Sequence, residues 1–157
     1  FNAFITNVVA KGVPAEALQG VHAMHYFYYD LSNFEDKEVA KSAQEFTELF
    51  RSKYGTPPDA YAAIAYIAYM EMFRGFEAAK SLDAKKVSEA LMSGTAEFNT
   101  IKGPAKWRQD HAAVYKHAAF LVKGKGAEER KNEWDVFSVV GSQGGDEVMP
   151  TLKSLGY

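Results

Sequence analysis

Cysteine is absent from the 157 residues, which excludes disulfides, thiolate nucleophiles and thiolate metal sites and leaves the redox compartment open. An excess of one charge is lacking too. Eighteen Lys and Arg stand against twenty Asp and Glu, a formal net charge of −2, so no basic field is available to hold nucleic acid or anionic lipid. No long apolar run marks a membrane span. With 47% hydrophobic and 24% charged residues, the chain has apolar content enough for a sizeable core and is not a disordered tract. Aromatic residues, at 14%, are the one unusually abundant class. The sequence begins at Phe1, with no Met or signal-like leader, and we expect a piece of a longer precursor or mature protein.

Hydrophobic spacing divides the chain. Phe1, Phe4, Ile5, Val8 and Val9 recur at helical intervals up to Gly12, as in the second part of a helix already under way that ends on a left-handed residue. A short helix-forming turn, 15–19, leads to an aromatic-rich stretch, Val21 to Tyr29, which reads as extended. From about Asp36, the residues Val39, Ala43, Phe46, Phe50 and Tyr54 form one face of an amphipathic helix stopped by Gly55. Asp59 follows two prolines and caps a second helix to about Lys80, whose first half is apolar on nearly every face and should be buried on several sides. Asp83 caps a third helix that ends near Gly94. Beyond it come the pair Gly103-Pro104, an extended run from Val114 to Lys123, a turn at Gly124-Lys125-Gly126 and a second strand from Trp134 to Val140. A terminal helix is expected over about Glu147 to Leu155, with Pro150 near its first turn.

Conventional catalytic constellations are missing. His22 and His25 are three apart in a segment read as extended, where odd spacings point to opposite faces, so they do not share an ion. His111 and His117 have no ligand set at metal spacing, and no metal or cofactor is expected. The pairs Glu45 with Glu48 and Glu128 with Glu129 lie on solvated faces, where nothing moves a carboxyl toward general acid or base work. The glycine-rich stretch 141–145 lacks the Lys and Ser/Thr of a phosphate loop, and Ser42, Ser52, Ser138 and Ser142 stand in no nucleophile elbow. An enzyme is therefore not expected. The cluster His25-Tyr26-Phe27-Tyr28-Tyr29 and the tyrosines Tyr61, Tyr66 and Tyr69 suit either a small-molecule cleft or a half-buried core. On their helix Tyr66 and Tyr69 are neighbours, and Tyr61, five residues before Tyr66, is turned away from it.

The run from Phe46 to Tyr69, FTELFRSKYGTPPDAYAAIAYIAY, resembles the type I periplasmic solute-binding proteins of the leucine, isoleucine and valine family, which serve ABC importers. A second block, Phe98 to Trp107, FNTIKGPAKW, is similar to that family's return crossing. Many members have Asp-Glu-x-Gly-Asp after the aromatic, where this chain has Arg108-Gln109-Asp110-His111. The resemblance implies an α/β fold, the C-terminal half of a two-lobed clamp with three-layer αβα, Rossmann-like lobes. Residues 1–22 would end the C-terminal lobe, 23–100 would form part of the N-terminal lobe, and 101–157 would return through the hinge to the C-terminal lobe's hairpin and tail.

By the same resemblance Tyr66 matches a position that touches the ligand, and the segment carrying His25 and Tyr26 lies at the cleft floor. The ligand would be a small amino-acid-like molecule or carboxylate, anchored by groups from the missing N-terminal half of the same protein. The closed clamp would deliver it to an ABC transporter permease, and the protein would be periplasmic, or extracellular and lipid-anchored. A ligand-sensing regulatory module on the same clamp is the alternative.

Overall fold

A computed structural model describes residues 6–93 and 97–157. Helix α1 (Asn7–Lys11) begins freshly, because Thr6 is extended and its hydroxyl accepts from the Val9 amide at 3.4 Å. It is therefore not the continuation of an earlier helix, and Phe1, Phe4 and Ile5 lie outside the described residues. Gly12 closes it in a right-handed conformation, not the left-handed one expected. Helix α2 (Ala15–Leu18) is a single turn ahead of β1 (His22–His25). The expected extended stretch is thus cut short. Tyr26 to Tyr29 leave the ladder because Tyr28 is drawn inward, its hydroxyl donating to the Phe137 carbonyl at 3.0 Å and accepting from the Phe137 amide at 3.1 Å.

The long helices follow their local signals. Asp36 accepts from the Val39 amide at 3.2 Å and starts α3 (Lys37–Tyr54), and Gly55 ends it at φ 73°. Asp59 accepts from the Ala62 amide at 3.0 Å and starts α4 (Ala60–Ala79). Asp83 accepts from the Lys86 amide at 3.0 Å ahead of α5 (Ala84–Ser93), and the expected end near Gly94 lies outside the described residues. One expectation fails on α4. Its buried residues are Ala63, Ile67, Glu71 and Gly75, a single stripe, while Tyr61, Ile64, Tyr69, Met70 and Phe73 are exposed. The reason is that its neighbours among the described residues pack on that stripe. Gly75 lets α5 approach so closely that an added Cβ would stand 2.8 Å from Val87 Cγ1.

Among the described residues, six strands form two antiparallel sheets. One has the order β1-β5-β6, with β5 Ala119–Gly124 and β6 Phe137–Gln143; the other has the order β2-β3-β4, with β2 Glu97–Thr100, β3 Gly103–Trp107 and β4 Ala113–Tyr115. In the first, Ala23 faces Val122 and His25 faces Phe120, so β1 and β5 run side by side. The run read as one strand over Val114 to Lys123 is divided between the sheets, because Lys116 and His117 turn aside to Asp36. The next strand starts at Phe137 rather than Trp134, since Asp135 is buried against Lys125 and the Lys131 amide. The expected terminal helix reduces to α6 (Gly145–Val148) and a 3₁₀ turn, Lys153–Leu155. Met149, next to Pro150, is extended, as the residue before proline prefers.

The core lies between the first sheet and α3, and includes Ala23, Phe27, Tyr28, Val39, Phe46 and Phe120. Among the described residues, no helix is long and apolar enough to cross a membrane.

Candidate functional site

Tyr66 is placed by the second turn of α4, where it packs on Phe46 of α3 with ring centres 4.7 Å apart. The two helices and strand β2 line a half-open cavity of about 330 Å³ whose walls include Tyr66, Phe46 and Met70 beside Ser42, Glu45 and Asn99. Apolar walls carrying a few polar groups are what a small-molecule pocket requires. Glu71 also lines it, and this carboxylate is buried. Arg74 grips Glu71 through Nε at 3.0 Å and Nη2 at 2.8 Å, and the Trp107 indole donates to it at 3.1 Å, tying α4 to β3.

The other two expected contacts sit elsewhere. His25 is only 4% exposed, its ring edge-on to Phe137 at 5.0 Å and to Tyr28 at 6.0 Å. Tyr26 points the opposite way, half-buried and edge-on to Tyr115 at 5.9 Å. Burial, with a smaller contribution from the neighbouring Tyr115, pushes the Tyr26 phenol far up. The cavity beside Tyr66 includes neither residue in its walls. His22 is exposed and His25 buried, so the two histidines do lie on opposite faces of β1. Among the described residues no group of three or more His, Asp or Glu is placed to hold a metal ion.

Polar clusters that the sequence did not announce include two near these residues. In the first, His117 bridges Ser142 Oγ, 2.9 Å from Nδ1, and Asp36 Oδ2, 3.1 Å from Nε2, while Lys116 Nζ reaches the same carboxylate oxygen at 2.6 Å. The bond from Lys116 is the largest reason that Asp36 is held far below the usual carboxylate range, with His117 and the Val39 amide adding to it against the cost of burial. Through the His117 ring the cluster fastens the start of α3 to Ser142 of β6. In the second, the Lys102 ammonium lies over the Tyr26 and Tyr115 rings. The Glu71–Arg74 pair, three apart on one helix, is local, whereas His117, Ser142 and Asp36 are joined by the fold.

A family model described as periplasmic binding protein matches residues 2–129. The chain belongs to the periplasmic binding protein family. Among solved structures, it is similar to a branched chain amino acid ABC transporter periplasmic ligand-binding protein from Burkholderia xenovorans LB400. The TM-score is 0.79 at 24% identity, over 97% of this chain and 37% of that one. A periplasmic binding protein from Burkholderia mallei gives a TM-score of 0.78 at 19% identity, over 96% and 37%. An R. palustris ABC transporter solute binding protein in complex with benzoate gives 0.59 at 21%, over 90% and 42%. No curated protein matches the chain in sequence. The chain thus spans 37% of the length of the first two structures. The type I periplasmic-binding-protein fold implied by the sequence blocks is borne out, and the chain holds a portion of it.

Proposed function

We propose that this chain is part of the extracytoplasmic solute-binding component of an ABC importer, taking a small amino-acid-like or carboxylate ligand between two lobes. The observation that carries this is the family match over 2–129. Residues 1–22 close the C-terminal lobe, 23–100 belong to the N-terminal lobe and 101–157 return through the hinge. Tyr66 meets the ligand from the helical side, a placement that the mixed apolar and polar cavity beside it supports, and Tyr26 and His25 meet it from the crossing. Groups on the rest of a longer protein anchor the ligand's charged end.

The function is binding, not catalysis. Contacts from both lobes exist together only in the closed form, so a ligand shifts an open and closed equilibrium by its differential affinity for the two. The closed form then docks on a membrane permease, from the periplasm or from the outer face of the membrane on a lipid anchor.

A thermal-shift screen of the full-length protein against amino acids, their amides and aromatic carboxylates tests this reading. One class should stabilise it saturably, by about 2.7 kcal/mol at a hundred times the dissociation constant. No shift with any of the three classes would contradict it.

A further inference from the structure

Lys102 has no solvent exposure, although it stands in the tight turn between β2 and β3, where a lysine ordinarily reaches water. Its Nζ lies 3.4 Å from the centre of the Tyr26 ring and 4.6 Å from that of Tyr115, and it donates to the Ala118 carbonyl at 2.8 Å. A buried ammonium is unfavourable unless its charge is met. Among the described residues no carboxylate forms an ion pair with Lys102, and two ring faces and one carbonyl meet the charge instead.

The partners come from different places. Tyr26 directly follows β1, and Ala118 directly precedes β5, the strand paired with β1. Tyr115 ends β4 in the other sheet, to which the Lys102 turn also belongs. The amine thus sits where the two sheets meet. Its backbone is fixed as well: Thr100 Oγ1 accepts from the Lys102 amide at 3.0 Å and donates to the Gly103 carbonyl at 2.8 Å. Gly103, at φ 89°, allows α3 to close on the turn, since a Cβ there would stand 2.9 Å from Val39 Cγ2.

We propose that Lys102 is a positioning residue that clamps the two sheets at the crossings, its ammonium holding the Tyr26 and Tyr115 rings against the Ala118 carbonyl and so fixing the angle between the lobes. This rests on the two-lobe reading above. Burial lowers the amine to about 7, so the clamp is charged below that pH and loses its charge above it. The phenols of Tyr26 and Tyr115 face it, and that of Tyr26 stays neutral because burial pushes it up. Lys116 and His117, which precede Ala118 on the linker, are engaged with Asp36.

The test needs no ligand. Lys85→Cys on α5 and Glu128→Cys after β5, both exposed positions, carry spin labels in the full-length protein, and pulsed dipolar spectroscopy reads the distance distribution between them. The parent should be narrow at about pH 6 and lose its narrow component by about pH 9. Lys102→Met should lack that component at both values, and Lys102→Arg, which keeps its charge, should retain it at both. Should Lys102→Met fail to fold, the parent and Lys102→Arg decide by their pH profiles alone. A distribution equally narrow in every folded protein at both pH values would show one rigid body and overturn the clamp together with the two-lobe reading. A parent broad at both values and unaltered by Lys102→Met would keep the two lobes and overturn the role of Lys102.

Discussion

Asp36 serves three partners at once: it caps α3, pairs with Lys116 and binds the His117 ring. Its carboxyl is depressed in the folded state, so its stabilising contribution is complete above the ordinary carboxylate range near about 4 and is lost as pH falls below that range. Asp36→Asn should cost about 1.5–3 kcal/mol at neutral pH and flatten the acid limb of a stability profile measured by urea melts. An acid limb identical to the parent's would contradict this. The helix start near Asp36 was legible in the sequence from the spacing of Val39, Ala43 and Phe46. Lys116, His117 and Ser142 were not, since nothing local relates them to position 36. Lys102 carries no local sign of burial either, because Tyr26, Tyr115 and Ala118 are brought to it by the fold. For Tyr66, half-buried against Phe46, truncation to Ala should weaken ligand binding by about 1–3 kcal/mol, roughly five- to a hundredfold. Folding stability should fall by less. Unchanged affinity with a large stability loss, seen by calorimetric titration and denaturant melts of one variant, would move Tyr66 to the core and leave Tyr26 and His25 as the contacts.

At the scale of elements, helices declared themselves and strands did not. The starts of α3, α4 and α5 and the end of α3 rest on caps that act within a few residues. Gly55 shows how far such a signal goes. At φ 73°, with open space around an added Cβ, Gly55→Ala should cost only the conformational penalty, about 1 kcal/mol, read as a lowered midpoint in urea at unchanged slope. Gly124→Ala should cost more, because a Cβ there would run into the Leu18 carbonyl oxygen. Strand limits depend on distant partners. Val114 to Lys123 looks continuous as a string of residues, yet the pull of Asp36 on Lys116 and His117 divides it between two sheets. The apolar first half of α4 led to an expectation of burial on several sides, but composition cannot say which faces have neighbours.

At the scale of the molecule, the family was legible in the order of two blocks, Phe46 to Tyr69 and Phe98 to Trp107, and the match over 2–129 bears it out. Tyr61, Ile64, Tyr69, Met70 and Phe73 leave α4 with a broad exposed apolar surface. Residues 1–157 expressed alone should therefore self-associate or melt broadly, and a monomer in sedimentation with one sharp two-state transition would count against it. The proposed function requires a clamp that closes on its ligand. Small-angle scattering of the full-length protein, titrated with the compound giving the largest thermal shift, tests it most directly. The radius of gyration should fall and saturate with the same midpoint as binding measured by calorimetry. A radius that stays constant while the ligand binds stoichiometrically would contradict closure.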